Sequence, residues 1–479
     1  MDGKGCPEAQ RKERRFWVPA LIVCFLAFLF YLGIQYISCK NLFMAKWGLC
    51  KVGSGDFEKQ WLPKSALFKY KLLWMAPFLS GGGYGSEAIS FATAIEASKL
   101  VPQFKIQQHG DLENYEFWSG LPQKIRRLLV RLAWRDFNVE ETVVICHSEP
   151  GAWFPPLYQT FPCPPFGYEQ PLYVIGRSMF ETDRLNKEHV ERCNAMDEVW
   201  VPTQFNIETF ARSGVMESKL VKVRQTVDIE FFNPTQVHPL PLSFNWQVFG
   251  PSKNHSNFFS SKPYVFLSIF KWEVRKGWDI LIKAFLQEFS AEDDVVLYLV
   301  TNAFHSSSNF DQDILSFVNK SKIIEPSLGW PTVQLCDHHV PQIDLPSLYK
   351  AADVFVLPSR GEGWGRPHIE AMAMALPVIA TNWSGMTEYM TDMNSYPLPL
   401  DGMSEILEGP FKGHFWAEPS VNSLQGLMRH VYSHPVEAKA RGLVARNDMV
   451  KKYAPHIVLN DILEHLTRIQ NLLYNKSID

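Results

Sequence analysis

Two glutamates separated by seven residues, Glu362 and Glu370, carry the densest chemistry in the chain, and the turn Gly363-Trp364-Gly365 follows the first directly. The apolar run before them, Asp353 to Pro358, has the length and character of a buried strand. Pro367 suits the first turn of a helix, because the N–H it lacks would have no partner there. The order is therefore strand, glycine turn, helix. Such a turn lets backbone amides approach a phosphate, and the helix N-terminus adds partial positive charge. With the helix beginning near Pro367, Glu370 falls in its first turn and Glu362 in the loop before it. Both carboxylates then face one ligand.

This stretch resembles the nucleotide-sugar site of the family-4 retaining glycosyltransferases, whose signature is a Glu, seven residues and a second Glu. Strand, Glu-Gly-aromatic-Gly, Pro, second Glu, Ala-Met-Ala and Pro-Val-Ile occur here in that order, with Ala375 where the family has glycine. The resemblance implies that Glu370 bonds the ribose hydroxyls of a nucleotide-diphosphate sugar. It implies that Glu362 lies by the transferred sugar and stabilises its developing positive charge, with Gly363, Trp364 and Gly365 against the donor. Ser268 to Phe285 resembles the second donor motif, in which an Arg and a Lys grip the diphosphate. Lys276-Gly277 is intact, whereas Phe270-Lys271 replaces Gly-Arg. Lysine neutralises charge but lacks the guanidinium fork, so Lys276 and Lys271 are the expected cations, with Arg275 placed to compensate. The resemblance also places Gly82 and Gly83, within the loop Gly81 to Gly85, near the donor phosphates, and turns His147 toward the transferred sugar. Thr226 stands where the family hinge has glycine.

The elements needed to hold these residues are legible as an alternation of strands and helices, the mark of a parallel α/β sheet. Strand-like runs begin at Leu72 and recur at Lys105–Gln108, Thr142–Cys146, Leu172–Ile175 and Glu198–Pro202, with a helix expected over Glu87 to Leu100. A second unit starts at Tyr264 and continues through a helix near Asp279–Phe289 and strands at Val295–Thr301, Val354 and Pro377–Ala380. Two Rossmann-like domains facing across a cleft, the GT-B architecture, are what the resemblance implies. The expected divisions are a tail over 1–15, a transmembrane segment over 16–39, a stem over 40–70 and a first, acceptor domain over 71–230. A linker over 231–262, a nucleotide-sugar domain over 263–440 and helices over 441–479 crossing back to the first domain complete the list.

With 479 residues the chain is long enough for two or three cores, and its net charge of −3 gives no general pull toward nucleic acid. Phe16 to Cys39 carries no charged residue, enough to span a bilayer core of ~30 Å. Lys4, Arg11, Lys12, Arg14 and Arg15 precede it, and Lys40, Lys46 and Lys51 follow. That bias predicts a single-pass type II protein with its catalytic part in the lumen of the Golgi, or alternatively the endoplasmic reticulum. Sequons stand at Asn254, Asn319, Asn382 and Asn475. The eight cysteines show neither Cys-x-x-Cys pairs nor zinc-like spacing with histidine. Those after the span permit disulfides or buried thiols. Asp311-Gln312-Asp313 matches an Asp-x-Asp metal motif but reads better as the start of a helix. His338-His339 points to opposite faces of a strand. No metal site or cofactor is expected.

The function expected is a membrane-anchored retaining glycosyltransferase moving a sugar from a nucleotide-diphosphate sugar to a glycan, lipid or other acceptor. The alternatives are a cytosol-facing transferase acting on lipid-linked sugars, a sugar-nucleotide epimerase and a catalytically idle nucleotide-sugar-binding scaffold.

Overall fold

The computed structural model describes residues 67–136, 138–243, 246–251, 263–303, 308–338 and 340–476. They fall within one compact unit, Pro63–Asp479. The expected tail, transmembrane segment and most of the stem lie outside the described residues, as do Asn254 and His339.

The first sheet holds six parallel strands in the order β2-β1-β3-β4-β5-β6. They are β1 (Lys71–Ala76), β2 (Phe104–Gln108), β3 (Thr142–His147), β4 (Tyr173–Arg177), β5 (Glu198–Val201) and β6 (Leu220–Lys222). Helices α1 (Gly83–Ser98), α2 (Tyr115–Gly120), α3 (Gln123–Ala133), α4 (Lys187–Ala195) and α5 (Gln204–Ser213) connect them. Both faces are covered. Leu72, Trp74 and Ala76 of β1 pack into one apolar cluster with α1, while Leu73 and Met75 pack into another on the opposite face. Such two-sided burial is why these strands read as continuous apolar runs.

The second sheet runs β13-β12-β11-β8-β9-β10-β7. Its strands are β7 (Gln247–Phe249), β8 (Tyr264–Trp272), β9 (Val295–Ala303), β10 (Thr332–Cys336), β11 (Val354–Leu357), β12 (Val378–Thr381) and β13 (Tyr396–Leu398). The helices between them are α6 (Trp278–Glu288), α7 (Phe310–Lys320), α8 (Leu345–Ala351) and α9 (Arg366–Ala373). A two-stranded hairpin, β14 (Leu400–Glu405) with β15 (Phe415–Pro419), projects after β13. Helices α10 (Val421–Ser433), α11 (Pro435–Lys452) and α12 (Pro455–Lys476) close the chain.

Several expected boundaries move. The stem ends earlier, since Phe68 is buried in the first domain's core and its amide bonds Leu100 O. The linker contains β7, which pairs antiparallel with β10 at the edge of the second sheet. Three residues gave no periodic signal, and pairing with β10 together with burial of Phe249 against Trp330 recruits them. Residue 440 lies inside α11, whose Ala438, Ala445 and Met449 pack on the second domain. The crossing comes after it. Val458, Ile462, Leu466 and Ile469 of α12 join the first domain's core, set at helical spacing on one face.

Candidate active site

The carboxyl ends of parallel strands are where open α/β sheets bind ligands. In the second domain the loop after β11 carries Glu362, and α9 begins four residues later. Gly365 caps α9 at φ +94, a left-handed conformation that glycine adopts without strain. Pro367 sits in the first turn as expected, but the helix starts at Arg366, so Glu370 stands one full turn in.

Glu362 and Lys276 form the centre of the site. The Lys276 ammonium donates to both Glu362 oxygens, at 2.7 and 2.9 Å, and Arg275 reaches the same carboxylate at 3.3 Å. Burial alone would raise the Glu362 pKa, but these two cations outweigh it and hold the group down at about 2. Gly277, which turns the chain into α6, has φ +68, and a Cβ there would lie 2.0 Å from Pro358 O. That contact holds Lys276 against the loop after β11. Lys271, at the end of β8, is half-buried, and burial together with neighbouring Lys276 pushes its pKa down.

Glu370 is almost fully covered. Tyr349 O–H donates to its Oε2 at 3.0 Å, and Arg366 Nε stands 3.7 Å from its Oε1. Burial pushes the Glu370 pKa up, despite Arg366 and the Tyr349 hydroxyl. Arg366, which no sequence feature singled out, is mostly buried, and neither its Nε nor its Nη1 has a hydrogen-bond partner. Trp364 behaves differently from expectation. Its ring is 1% exposed and packs on Tyr389 and Tyr453, so only the backbone of the Gly363–Gly365 turn is left to meet a donor.

The first domain contributes its glycine loop. α1 begins at Gly83, earlier than expected, and Gly82 is its cap. Packing overrides the poor helix propensity of glycine here: a Cβ on Gly85 would meet Pro77 O at 2.5 Å and Ser80 O at 2.4 Å. Gly82 and Gly83 thus occupy a helix N-terminus, whose first-turn amides have no partners within the helix.

His147 does not face the cleft. Along β3, Val143, Ile145 and His147 share the face under α1, and His147 is fully buried. Trp74 Nε1 donates to its Nδ1 at 3.1 Å, so the ring proton lies on Nε2, 3.0 Å from Glu87 Oε2. Burial lowers the His147 pKa against the pull of Glu87. Glu87 also bonds Arg177 and accepts from Gln225 at 3.0 Å, completing a buried polar network. Strand alternation decides the outcome: a one-residue difference in position reverses the face.

Other titratable groups stand beyond the first domain's strands. Glu149, just beyond β3, has its pKa pushed up to about 7 by burial, with Asp111 and Glu181 adding to it. His109 is buried, bonded to Phe161 O and Ser148 Oγ, and burial lowers its pKa to about 4. Cys146 and Cys163 form a disulfide that pins the aromatic loop after β3 to the sheet. Thr226 donates to Tyr453 O at the crossing between domains. Asp311 and Asp313 stand in the first turn of α7, where Asp313 accepts from Trp272 at 3.0 Å. Among the described residues no group of three His, Cys, Asp or Glu side chains is placed to hold a metal ion.

Residues 262–399 match the family model described as "Glycosyl transferases group 1". The chain is 30% identical over 155 residues to mannosylfructose-phosphate synthase of Agrobacterium fabrum, covering 31% of this chain and 33% of that relative. It is 44% identical over 117 residues to the lipopolysaccharide core biosynthesis mannosyltransferase LpsB of Rhizobium meliloti, covering 24% of this chain and 31% of the relative. The chain therefore spans about a third of the length of these curated relatives. Among solved structures, Anabaena HepE in complex with UDP and glucose superposes with a TM-score of 0.56 at 13% identity, covering 84% of this chain and 100% of that one. A glycosyltransferase from Rickettsia africae gives 0.51 at 16%, over 84% and 98%.

The two sheets have the GT-B fold, and the second domain carries the match to the glycosyl transferases group 1 model. The expected Golgi location as a type II membrane protein is overturned. The curated relatives are bacterial, and among the described residues no helix is long and apolar enough to cross a membrane.

Proposed function

We propose that the chain transfers a hexose, with retention of configuration, from a nucleoside-diphosphate sugar to a hydroxyl of an acceptor. The observation that carries this is the pairing of Glu362 with Lys276 at 2.7 Å, one loop before buried Glu370 in α9. In this reading Glu370 accepts from the ribose hydroxyls, and Lys276 and Lys271 neutralise the diphosphate. The α1 N-terminus at Gly82 and Gly83 adds its amides from across the cleft. The sugar carbon–oxygen bond to the leaving phosphate breaks as the acceptor oxygen bonds to the same face of the sugar. The acceptor proton passes to the departing diphosphate, so no protein base is required. Glu362, ionised because of its two cations, stabilises the positive charge growing on the sugar. Side-chain cations and amides do what a metal does elsewhere, and no metal or cofactor is needed.

HepE was solved with UDP and glucose, and the curated relatives are named as mannosyltransferases and a synthase. UDP-glucose and GDP-mannose are therefore the first donors to try. The test is acceptor-free donor hydrolysis and donor binding by the purified protein, with Glu370→Ala and Lys276→Ala as controls. Hydrolysis of one donor that both substitutions strongly reduce supports the reading. Folded protein that binds neither donor refutes it for these two nucleotides.

A further inference from the structure

The hairpin β14–β15 belongs to the second domain by sequence but reaches the first. Asp183 N donates to Phe415 O at 3.0 Å, and Phe415 N donates back to Asp183 Oδ1 at 2.7 Å. His414 bridges Thr182 Oγ1 at 3.0 Å and Asn186 Oδ1 at 2.7 Å. Phe411 packs edge-on against Phe180, with ring centroids 5.3 Å apart. The root of the hairpin leads to the candidate site. Glu418 of β15 holds Arg360 at 3.0 Å, and Arg360 N donates to Arg275 O. Arg360 lies two residues before Glu362 and also forks onto Asp279 at 2.8 and 2.9 Å.

Arg275 makes the second link. Its guanidinium donates to Gly361 O at 2.7 Å, Glu273 at 2.8 Å and Glu362 at 3.3 Å, all in its own domain. Its Nε then crosses the cleft to Glu181 Oε1 at 3.5 Å. The backbone follows the same path, since a Cβ on Gly361 would lie 2.2 Å from Glu181 O. A further ion pair between the domains, Lys222 with Glu388, sits beside the crossing, where Tyr453 O–H donates to Glu388 O. The links through Arg275 and the hairpin lie at the candidate site itself.

We propose that Arg275 and the hairpin form an interdomain clasp on the first-domain segment from Phe180 to Asn186, and that Arg275 is a positioning residue coupling closure of the cleft to the placement of Glu362. The role in catalysis rests on the transferase reading, whereas the clasp itself does not. Opening the cleft takes one carboxylate from a mostly enclosed guanidinium and exposes Phe411. The resting protein is therefore held closed before any donor arrives. An apparent affinity falls in proportion to the fraction of closed molecules, so loosening the clasp raises the donor KM and leaves kcat nearly unchanged.

The experiment uses the full chain and the variants Phe411→Ala, Glu181→Gln and Arg275→Lys. The exchange rates of the Asp183 and Phe415 amides are measured without nucleotide, then acceptor-free hydrolysis of UDP-glucose. Phe411→Ala and Glu181→Gln are expected to speed exchange at both amides at least tenfold. They should raise the donor KM about tenfold, with kcat within about twofold and the thermal midpoint little changed. Arg275→Lys keeps the charge but loses the fork, and should lower kcat as well. Unchanged exchange in Phe411→Ala and Glu181→Gln refutes the clasp, and altered exchange with an unchanged KM refutes its coupling to Glu362. If the unaltered chain does not hydrolyse UDP-glucose, the donor assignment fails, while amide exchange still decides the clasp.

Discussion

Replacing Glu370 by glutamine separates a ligand-binding carboxylate from a structural one, because the two roles predict opposite signs for stability. The Glu370 carboxylate is almost fully covered, accepts one hydrogen bond at 3.0 Å from Tyr349 and has Arg366 only at 3.7 Å. Burial raises its pKa above the ordinary 4.5. The folded pKa thus exceeds the unfolded one. Below pH 4.5 the group is protonated in both states and costs nothing, whereas at neutral pH and above the folded protein carries the cost of a buried charge. Glu370→Gln removes that cost, keeps the shape and can still accept from Tyr349. The variant should be as stable as the parent or more so at pH 7.5, and the difference should vanish as the pH falls below 4.5.

Donor binding should move the other way. Hydrogen bonds from two ribose hydroxyls to a carboxylate are worth ~1.5–3 kcal/mol each, and an amide retains only part of this. A net loss of ~2–3 kcal/mol corresponds to roughly 30–150-fold in donor affinity. The ribose lies away from the reacting bond, so kcat should stay within about threefold. Donor hydrolysis against concentration, with thermal melts at pH 4.5 and 7.5, reads both quantities. A donor KM within about fivefold of the parent, together with a lower melting point at pH 7.5, would make Glu370 a structural residue and refute the reasoning.

Lys276→Ala removes the cation nearest Glu362, and donor hydrolysis should fall by roughly 10²–10³. The Glu362 pKa, now about 2, should rise toward 4.5 and give the residual activity an acid limb in its pH profile that the parent lacks. In the parent, the stability Glu362 contributes is fully present above pH 4.5 and is lost as the pH falls toward 2, which acid titration of the fold reads directly. His147→Ala should cost about 2–4 kcal/mol in denaturant unfolding, through lost packing and unpaired Trp74 and Glu87 groups, with the donor KM unchanged. A raised KM in a stable His147→Ala variant would return that residue to the cleft. Removing the Cys146–Cys163 disulfide, which closes a loop with a sequence separation of 17, should cost about 3 kcal/mol, seen as a lower unfolding midpoint of Cys146→Ala/Cys163→Ala. Exhaustive chelation should leave donor hydrolysis intact, and restoration only by added divalent metal would overturn the metal-free reading.

The sequence by itself determined what depends on neighbours along the chain. The apolar run before Glu362, the glycine turn, Pro367 and the spacing to Glu370 are local signals for strand, turn and helix, and the fold follows them nearly residue for residue. Lys276 was legible for the same reason, since the turn at Gly277 opens a helix directly behind it. The helical spacing in the last forty residues likewise foretold α12, although not the point at which the chain leaves the second domain.

Tertiary structure decided everything that depends on which surfaces meet. His147 sits at a strand end in sequence, but pleat alternation and the packing of α1 send it into the core beside Trp74. Trp364, set among the proposed donor-site residues, turns its ring onto Tyr389 and Tyr453 because a large apolar side chain gains more by burial than by facing a polar ligand. β7 forms because β10 offers it an edge and the core takes Phe249. Glu181 and Arg275 are 94 residues apart in sequence, and no periodicity relates them. They meet because two distinct sheets present their carboxyl ends to each other, and Coulomb attraction acts across that gap without leaving any mark on local sequence.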